Sequence, residues 1–268
     1  MAQVVSSDGV VTAVTDEVNA SVLLKVTAAI AGGSCTVYRR DVAGARVPVR
    51  SGDPCRLVDG VGVAYDHEAA PGVQYRYTAV IDEVESAAAS VMLPWASACT
   101  AIVKDVRDPS LSRVVDLIHP WEESWEDPSL FLSVDEAAPP FVTEKRRAAP
   151  TGEFTVQTQG REPLERLGAL LRHPGAKLLQ AHPSHGVPDR WVHLGGVRQP
   201  SSGRASGYGP RDVTVAWAEL DRPYHVGAHV RMPRWGWVDA TAGYSDLAAV
   251  RAAYPRGVWD MMLAGVGA

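Results

Sequence analysis

Short runs in which apolar and polar residues alternate dominate the first part of the chain. Residues 22–26, 35–39 and 46–50 are three such runs, the first of them imperfect, and glycine-rich turns separate them. A period of two is typical of β-strands with one buried face. Because many short strands at this spacing favour two packed sheets, we predict a β-sandwich over residues 1–93.

A turn followed by two tyrosines gives the clearest local signal in this region. Pro71 and Gly72 favour a tight turn, after which Tyr75 and Tyr77 fall on one face of the next strand. This arrangement resembles the fibronectin type III pattern, in which a tyrosine shortly after a Pro-Gly turn forms a corner of the sandwich. The resemblance implies that Tyr75 takes this place and that its hydroxyl hydrogen-bonds to nearby backbone. The tryptophan that this family carries in its early strands is absent, which leaves an immunoglobulin-like variant open.

Residues 94–225 again alternate mainly as strands, but one helix interrupts them. Leu164, Leu167 and Leu171 recur at the helical spacing i, i+3 and i+7, and Pro163 suits the first turn of a helix. A strand, this helix and a second strand are therefore predicted in order, at residues 153–158, 162–172 and 176–181.

The C-terminal residues 226–268 alternate aromatic with short acidic side chains, and Ser245 can cap a short helix over residues 246–253. A segment of this length cannot bury a core of its own, so we expect it to dock on the body of this chain or on a neighbour. Aromatic side chains dominate the energetics of interfaces. We therefore predict four interface anchors: Trp235, Trp237, Tyr244 and Trp259.

The composition narrows the classes of partner. The chain has 268 residues, of which 46% are hydrophobic and 21% charged, and this favours folded cores over disorder. A net charge of −5 makes neither nucleic acid nor an anionic membrane an obvious partner. No apolar window approaches the roughly 20 residues of a membrane span. The first residues lack the regions of a secretory signal, so we expect synthesis in a cytoplasm.

The cysteines Cys35, Cys55 and Cys99 match neither a zinc-ligand pattern nor a redox CxxC motif. We interpret them as small buried thiols. A bridge between Cys35 and Cys55 across the predicted N-terminal sheet stays open, although a reducing compartment disfavours it.

Histidines and carboxylates were the remaining candidates for chemistry. His182 and His185 flank a proline in a turn, and His225, His229 and His193 follow, but no helix face brings them together and no HExxH motif occurs. We therefore predict no metal site and expect solvent-facing loop histidines.

The acidic stretch over residues 121–127 could suggest a sugar site, with tryptophans for stacking and carboxylates for acid–base chemistry. Hydrolysis requires two carboxylates about 5 to 10 Å apart across the substrate, which a contiguous run does not provide. We interpret the stretch as a solvated loop pinned by two tryptophans. A nucleophile elbow and a phosphate-binding loop are also absent, so we predict no catalytic residue, no cofactor and no enzymatic activity.

Three passages, read in order, resemble actinobacterial siphophage minor tail proteins. They are an apolar strand, a basic turn and an alternating strand in residues 141–158, the helix and strands of residues 163–194, and the aromatic phrases of residues 237–260. In that family the strand–helix–strand module resembles the sheet of distal tail proteins, which build a ring joining tail tube and tip. The acidic stretch over residues 121–127 departs from the family pattern and leaves the ring geometry open.

The resemblance implies a mainly β virion protein. The fibronectin type III-like or immunoglobulin-like β-sandwich predicted over residues 1–93 comes before the part that carries this resemblance. For the rest of the chain we expect a distal-tail-like β domain with one inserted helix over residues 94–225 and a helical, aromatic-rich docking segment over residues 226–268. The implied partners are copies of the chain in a ring, the tail tube, the tip or hub, and the tape-measure protein. No catalytic residue is carried over. Two alternatives stay open: a virion module that binds a host-surface glycan, and a cell-wall hydrolase that uses Glu122 to Asp127.

Overall fold

The computed structural model describes residues 2–30, 32–105, 107–118, 121–126, 149–199, 210–223, 244, 246 and 248–254 in full, and residues 130–132, 141–143 and 247 by their backbone. This part of the chain is mainly β, as the alternation predicts. It contains two hydrophobic cores, one formed by residues up to Leu93 and the other by residues from Ala101 onward. We refer to them as the first and second units. The domain boundaries at residues 93 and 225 stay predictions.

The first unit is one antiparallel sheet that bends around its core. Among the described residues its strands are β1 (Gln3–Val5), β2 (Val11–Asp16), β3 (Ser21–Thr27), β4 (Gly32–Arg40), β5 (Arg46–Pro48), β6 (Cys55–Val58), β7 (Val61–Asp66), β8 (Gln74–Ile81), β9 (Val84–Glu85) and β10 (Ala89–Met92). Their order is β1-β2-β3-β7-β6-β4-β8-β10, with β5 beside β4 and β9 beside β8. Residues 32–35 of β4 pair with β6 and residues 36–40 pair with β8, so β4 joins the two halves of the sheet.

The strand that carries Tyr75 and Tyr77 is β8, and both side chains are buried in the core. The Ala70 N–H donates a hydrogen bond to the Tyr75 hydroxyl at 3.2 Å, which confirms the predicted bond to nearby backbone. The preceding turn requires Gly72, whose φ is +77° and whose missing Cβ would lie 2.8 Å from the Trp95 indole nitrogen.

The second unit contains a closed antiparallel barrel. Its strands within the described residues are β11 (Thr100–Asp105), β12 (Arg113–Leu117), β13 (Glu122–Ser124), β14 (Leu130–Leu132), β15 (Phe141–Thr143), β16 (Thr151–Thr158), β17 (Lys177–Ala181), β18 (Arg190–Arg198) and β19 (Arg211–Glu219). The order β12-β11-β17-β18-β19-β16 closes because β16 also pairs with β12. Strand β13 pairs with the other end of β16, and β14 and β15 form a separate hairpin.

Helix α1 (Arg161–Arg172) lies between β16 and β17, in the position that the leucine spacing predicts. Leu167 and Leu170 are buried in the barrel core, and Leu164 and Leu171 pack at its edge. Leu170 is thus a core residue that the i, i+3, i+7 spacing did not include.

A second helix, α2 (Leu247–Ala253), follows in the C-terminal segment. Its cap is Asp246, whose Oδ1 accepts a hydrogen bond from the Ala249 N–H at 2.8 Å. The helix therefore begins one residue later than predicted, and the expected cap Ser245 is wrong. No helix among the described residues has the length and apolarity that crossing a bilayer requires.

Candidate functional site: a polar junction between the two units

Lys104 of β11 forms a fully buried polar contact between the two units. Its side chain is fully buried, and Nζ donates hydrogen bonds to the backbone oxygens of Ala20 at 2.5 Å and Ala69 at 2.7 Å. Both oxygens belong to the first unit. Burial lowers the pKa of Lys104 from 10.5 to about 7, and the negative charge of Asp66 opposes part of this shift.

His67, directly after β7, links the units through a chain of neutral hydrogen bonds. On one side, Nδ1 lies 2.7 Å from Ser21 Oγ, and this hydroxyl donates to the Asn19 carbonyl. Ser21 Oγ must therefore accept from Nδ1–H. On the other side, Nε2 lies 2.9 Å from Ser112 Oγ, which accepts from the Asp105 N–H. With Nδ1 protonated, Nε2 accepts the Ser112 hydroxyl proton, so the contacts suit a neutral ring.

The electrostatics of the junction agree with a neutral imidazole. Burial lowers the pKa of His67 well below 6.5, and the nearby charge of Lys104 lowers it further. Neighbouring Asp66 is paired separately, since Arg39 donates to both of its oxygens at 2.9 Å and the Tyr77 hydroxyl donates to Oδ2 at 2.8 Å. Burial, followed by the charge of Asp66, raises the pKa of Tyr77 well above 10.

Asp105 anchors the barrel side of the junction. Its Oδ2 accepts hydrogen bonds from Lys177 Nζ and His173 Nδ1, each at 2.7 Å. Its Oδ1 accepts the backbone N–H groups of Arg107 and Asp108. Burial alone would raise the pKa of Asp105, but these hydrogen bonds and the Lys177 charge lower it below its usual value. The carboxylate thus fixes the end of β11, next to Lys104.

Glu68 ties the end of the barrel to the first unit. It accepts a hydrogen bond from Arg50 Nε at 2.8 Å and another from Arg222 Nη2 at 2.7 Å. Arg50 also donates to the backbone oxygen of Pro223 at 2.6 Å. The chain that leaves β19 is therefore held against the first unit just before residues 226–268 begin.

The junction encloses a cavity of about 10 Å³, lined by residues that include Arg50, Glu68, Lys104 and Trp191. Such a volume holds about one water molecule, far below the several hundred Å³ of a small-molecule site. The buried lysine and histidine therefore have no space for a substrate beside them. The arrangement can hold the two units in one orientation, which is a structural role.

The predicted histidine candidates do not converge. His182 and His185 are half-buried instead of solvent-facing, and the His182 ring packs edge-on against Trp95 with ring centroids 5.3 Å apart. His193 is exposed on β18, and His225 and His229 lie outside the described residues. In the described ranges, no group of three or more His, Cys, Asp or Glu side chains could hold a metal ion.

The acidic stretch forms the edge strand β13 instead of a loop. Trp121 stacks on Phe154 with ring centroids 5.5 Å apart, whereas Trp125 is 53% exposed, so one tryptophan pins the stretch and the prediction of two is wrong. Glu122 and Glu123 are successive strand residues and point to opposite faces. Glu123 also pairs with Arg190 at 2.9 Å. Asp127 lies outside the described residues.

Of the predicted interface anchors, only Tyr244 falls in the described part of the chain. Its hydroxyl donates to the Tyr254 hydroxyl at 3.0 Å, and the two rings meet edge-on at 5.8 Å. Tyr254 is buried and ends α2. Trp235, Trp237 and Trp259 lie outside the described residues, so their role stays a prediction.

Sequence reasoning missed Lys104 and His67. Lys104 gives one usable signal, because it stands in the apolar run of residues 101–106, where a strand with one wet face would alternate. Its acceptors are backbone oxygens, which leave no trace in the sequence.

No protein-family model and no curated protein matches the chain.

Proposed function

We propose that the chain is a structural component of a bacteriophage tail, a minor tail or distal tail or tail-tip protein. In this proposal, copies of the chain assemble into a symmetric ring that links tail tube and tip. The observation that carries it is the succession of β16, α1 and β17 in a closed barrel. This is the strand–helix–strand passage whose sequence resembles siphophage minor tail proteins.

The first unit would be a fibronectin type III-like or immunoglobulin-like sandwich on the outside of the tail. Support comes from the Tyr75 corner, the Gly72 turn and a single core shared by the two halves of the sheet. The second unit would be the distal-tail-like domain that contacts neighbouring subunits.

The polar junction suits a ring subunit, because such a subunit must present its contact surfaces at a fixed angle. Lys104 and His67 satisfy their hydrogen bonds only when the two units meet in one register. Buried polar networks that are fully paired favour one geometry over its neighbours, because each alternative leaves polar groups without partners. The junction would thus give the ring its regularity at some cost in stability.

The partners would be other copies of the chain, the tail tube, the tip or hub and the tape-measure protein. Residues 226–268 would supply the docking contact, since Pro223 holds their starting point against the first unit. The protein would be made in the host cytoplasm and reside in the virion, without catalytic, metal or cofactor sites.

The proposal is tested by light scattering on the purified chain over a range of concentrations. We expect an oligomer of defined size. In Trp259→Ala that oligomer should dissociate at higher concentrations than the wild type, while the first unit keeps its folded circular dichroism spectrum. The matched control is Trp125→Ala, which removes an exposed tryptophan outside the C-terminal segment. A monomer at every concentration that never joins tail-like assemblies would exclude the ring.

A second candidate is a virion module that binds a host-surface glycan. The exposed Trp125, with Glu126 exposed beside it, offers a stacking surface and hydrogen-bond acceptors of the kind sugars use. A cell-wall pull-down that Trp125→Ala abolishes would favour this function. If the protein has no saccharide preference, cell-wall material should retain the wild type and Trp125→Ala to the same extent.

The hydrolase is the weakest candidate. Glu123 is paired with Arg190, and Glu122 points to the opposite face of β13, so the two carboxylates do not flank one substrate. Activity on cell-wall material that Glu123→Gln removes would be required to support it.

A further inference from the structure

Cys35 and Cys55 lie directly opposite each other in the first unit. They are Cα partners in the antiparallel pair of β4 and β6, and both belong to the hydrophobic core. Opposite residues in such a pair have Cα atoms about 4.5 to 5.5 Å apart, and a disulfide usually spans about 4.4 to 6.8 Å. Both thiols are free, with exposed fractions of 3% and 2%.

The sulfur of Cys55 is closely surrounded by residues of β7. A Cβ on Gly62 would lie 2.8 Å from Cys55 Sγ, so the sulfur fills the space that this glycine leaves. Cys55 Sγ also contacts the Val63 backbone oxygen at 3.5 Å. Because Cys35 and Cys55 are directly opposite each other in the strand pair, their side chains lie on the same face of the sheet.

We propose that Cys35 and Cys55 are an oxidation site, at which a small peroxide converts two thiols into a cross-strand disulfide that staples β4 to β6. This inference uses only the first unit and is independent of the proposed tail function.

The chemistry balances with hydrogen peroxide as the oxidant. The Cys55 thiolate attacks one peroxide oxygen, the O–O bond breaks, and the departing hydroxide takes a proton to become water. The resulting sulfenic acid is attacked by the Cys35 sulfur, the S–O bond breaks, and a second water leaves. Two thiols and one peroxide thus give one disulfide and two waters.

The two thiols shift each other's pKa in opposite directions. The neighbouring Cys35 thiol lowers the pKa of Cys55 below 9.0, although burial opposes this shift. The Cys55 thiol, together with burial, raises the pKa of Cys35 far above its usual value. These directions favour Cys55 for the first attack and Cys35 for the resolving attack.

The staple would close the chain segment that carries Arg50 and its contacts with Glu68 and Pro223. A disulfide stabilises mainly by restricting the unfolded chain. We therefore expect the oxidised protein to melt about 5 to 10 °C higher than the reduced protein.

The experiment oxidises the full chain, in its Cys99→Ser form, with hydrogen peroxide. Cys99 is exposed, so the prediction of a buried thiol is wrong for this residue, and its replacement prevents cross-linking between molecules. Peptide mapping after thiol alkylation should find Cys35 joined to Cys55, and dithiothreitol should reverse both the link and the rise in melting temperature. The rise should be absent in Cys35→Ser/Cys99→Ser, which keeps one thiol of the pair.

If Cys35→Ser does not fold, the wild-type protein provides a second test of the cross-link. Wild-type protein is oxidised until the exposed Cys99 has reacted completely, and the peptides are mapped. An intramolecular Cys35–Cys55 link supports the proposal. Alkylatable Cys35 and Cys55 after that time, or sulfinic acid at either cysteine without a link, would overturn it.

Discussion

Lys104 of the barrel donates a hydrogen bond to the backbone oxygen of Ala69 in the first unit, across 2.7 Å and away from water. A buried lysine is usually paired with a carboxylate. Here the two acceptors are carbonyl oxygens, so the contact costs stability when the amine is charged and specifies the orientation of the two units.

The stability of the protein should depend on pH through Lys104. The pKa of Lys104 is about 7 in the folded chain and 10.5 in the unfolded chain. Between these two pH values the unfolded chain therefore binds more protons than the folded chain. The contribution of this group is fully present above pH 10.5 and is lost as the pH falls to about 7. Urea unfolding of wild type and Lys104→Met should diverge by a few kcal/mol over this range, at about 1.4 kcal/mol per pKa unit. If the free energies of unfolding of the two proteins changed in parallel with pH, Lys104 would not be buried with a lowered pKa.

His67 should make the protein sensitive to acid. Its folded pKa lies well below 6.5, so the unfolded chain binds more protons and stability falls as the pH drops below 6.5. His67→Gln should reduce this acid sensitivity, yet lower the free energy of unfolding at pH 8 by about 1 to 3 kcal/mol through lost hydrogen bonds. Circular dichroism during acid titration measures the first effect, and urea unfolding at pH 8 measures the second. His193→Gln, at an exposed position, should change neither.

Arg50 should couple the unfolding of the two units. Replacing it with methionine removes the donors to Glu68 and to the Pro223 oxygen and leaves a half-buried carboxylate with fewer partners. Calorimetry should then resolve two transitions where the wild type shows one. The control is Arg198→Met, whose ion pair with Glu153 spans 3.6 Å at the surface. One unchanged transition in Arg50→Met would show that the junction does not depend on this contact.

Gly152 should be essential for the edge strand β13. A Cβ at this position would overlap the Glu122 backbone oxygen, so Gly152→Ala must displace β13 from β16. We expect the free energy of unfolding to fall by about 1 to 3 kcal/mol. Tryptophan fluorescence should also change as Trp121 moves away from Trp217, since their ring centroids are 4.3 Å apart in the folded protein. Gly196→Ala, where a Cβ meets no atom within 4 Å, should leave the fluorescence unchanged.

The elements that could be predicted from sequence are those with local causes. Leucine spacing and flanking turn residues placed α1 between two strands, and the Pro71–Gly72 turn placed Tyr75. Strand β13 could not be predicted, because residues 122–124 show no apolar alternation and their pairing depends on a glycine in another strand.

The junction escaped prediction for a related reason. The contact of Lys104 with Ala20 and Ala69 joins residues that are distant in sequence, and its acceptors are backbone atoms. Only the run of apolar residues around Lys104 indicated that its side chain would be buried.

Electron microscopy of the purified full chain is the decisive experiment for ring assembly. We expect closed rings of a single symmetry in two-dimensional class averages, with the first unit projecting from each subunit. Isolated single particles at every concentration, in preparations whose folded state is confirmed by circular dichroism, would contradict it.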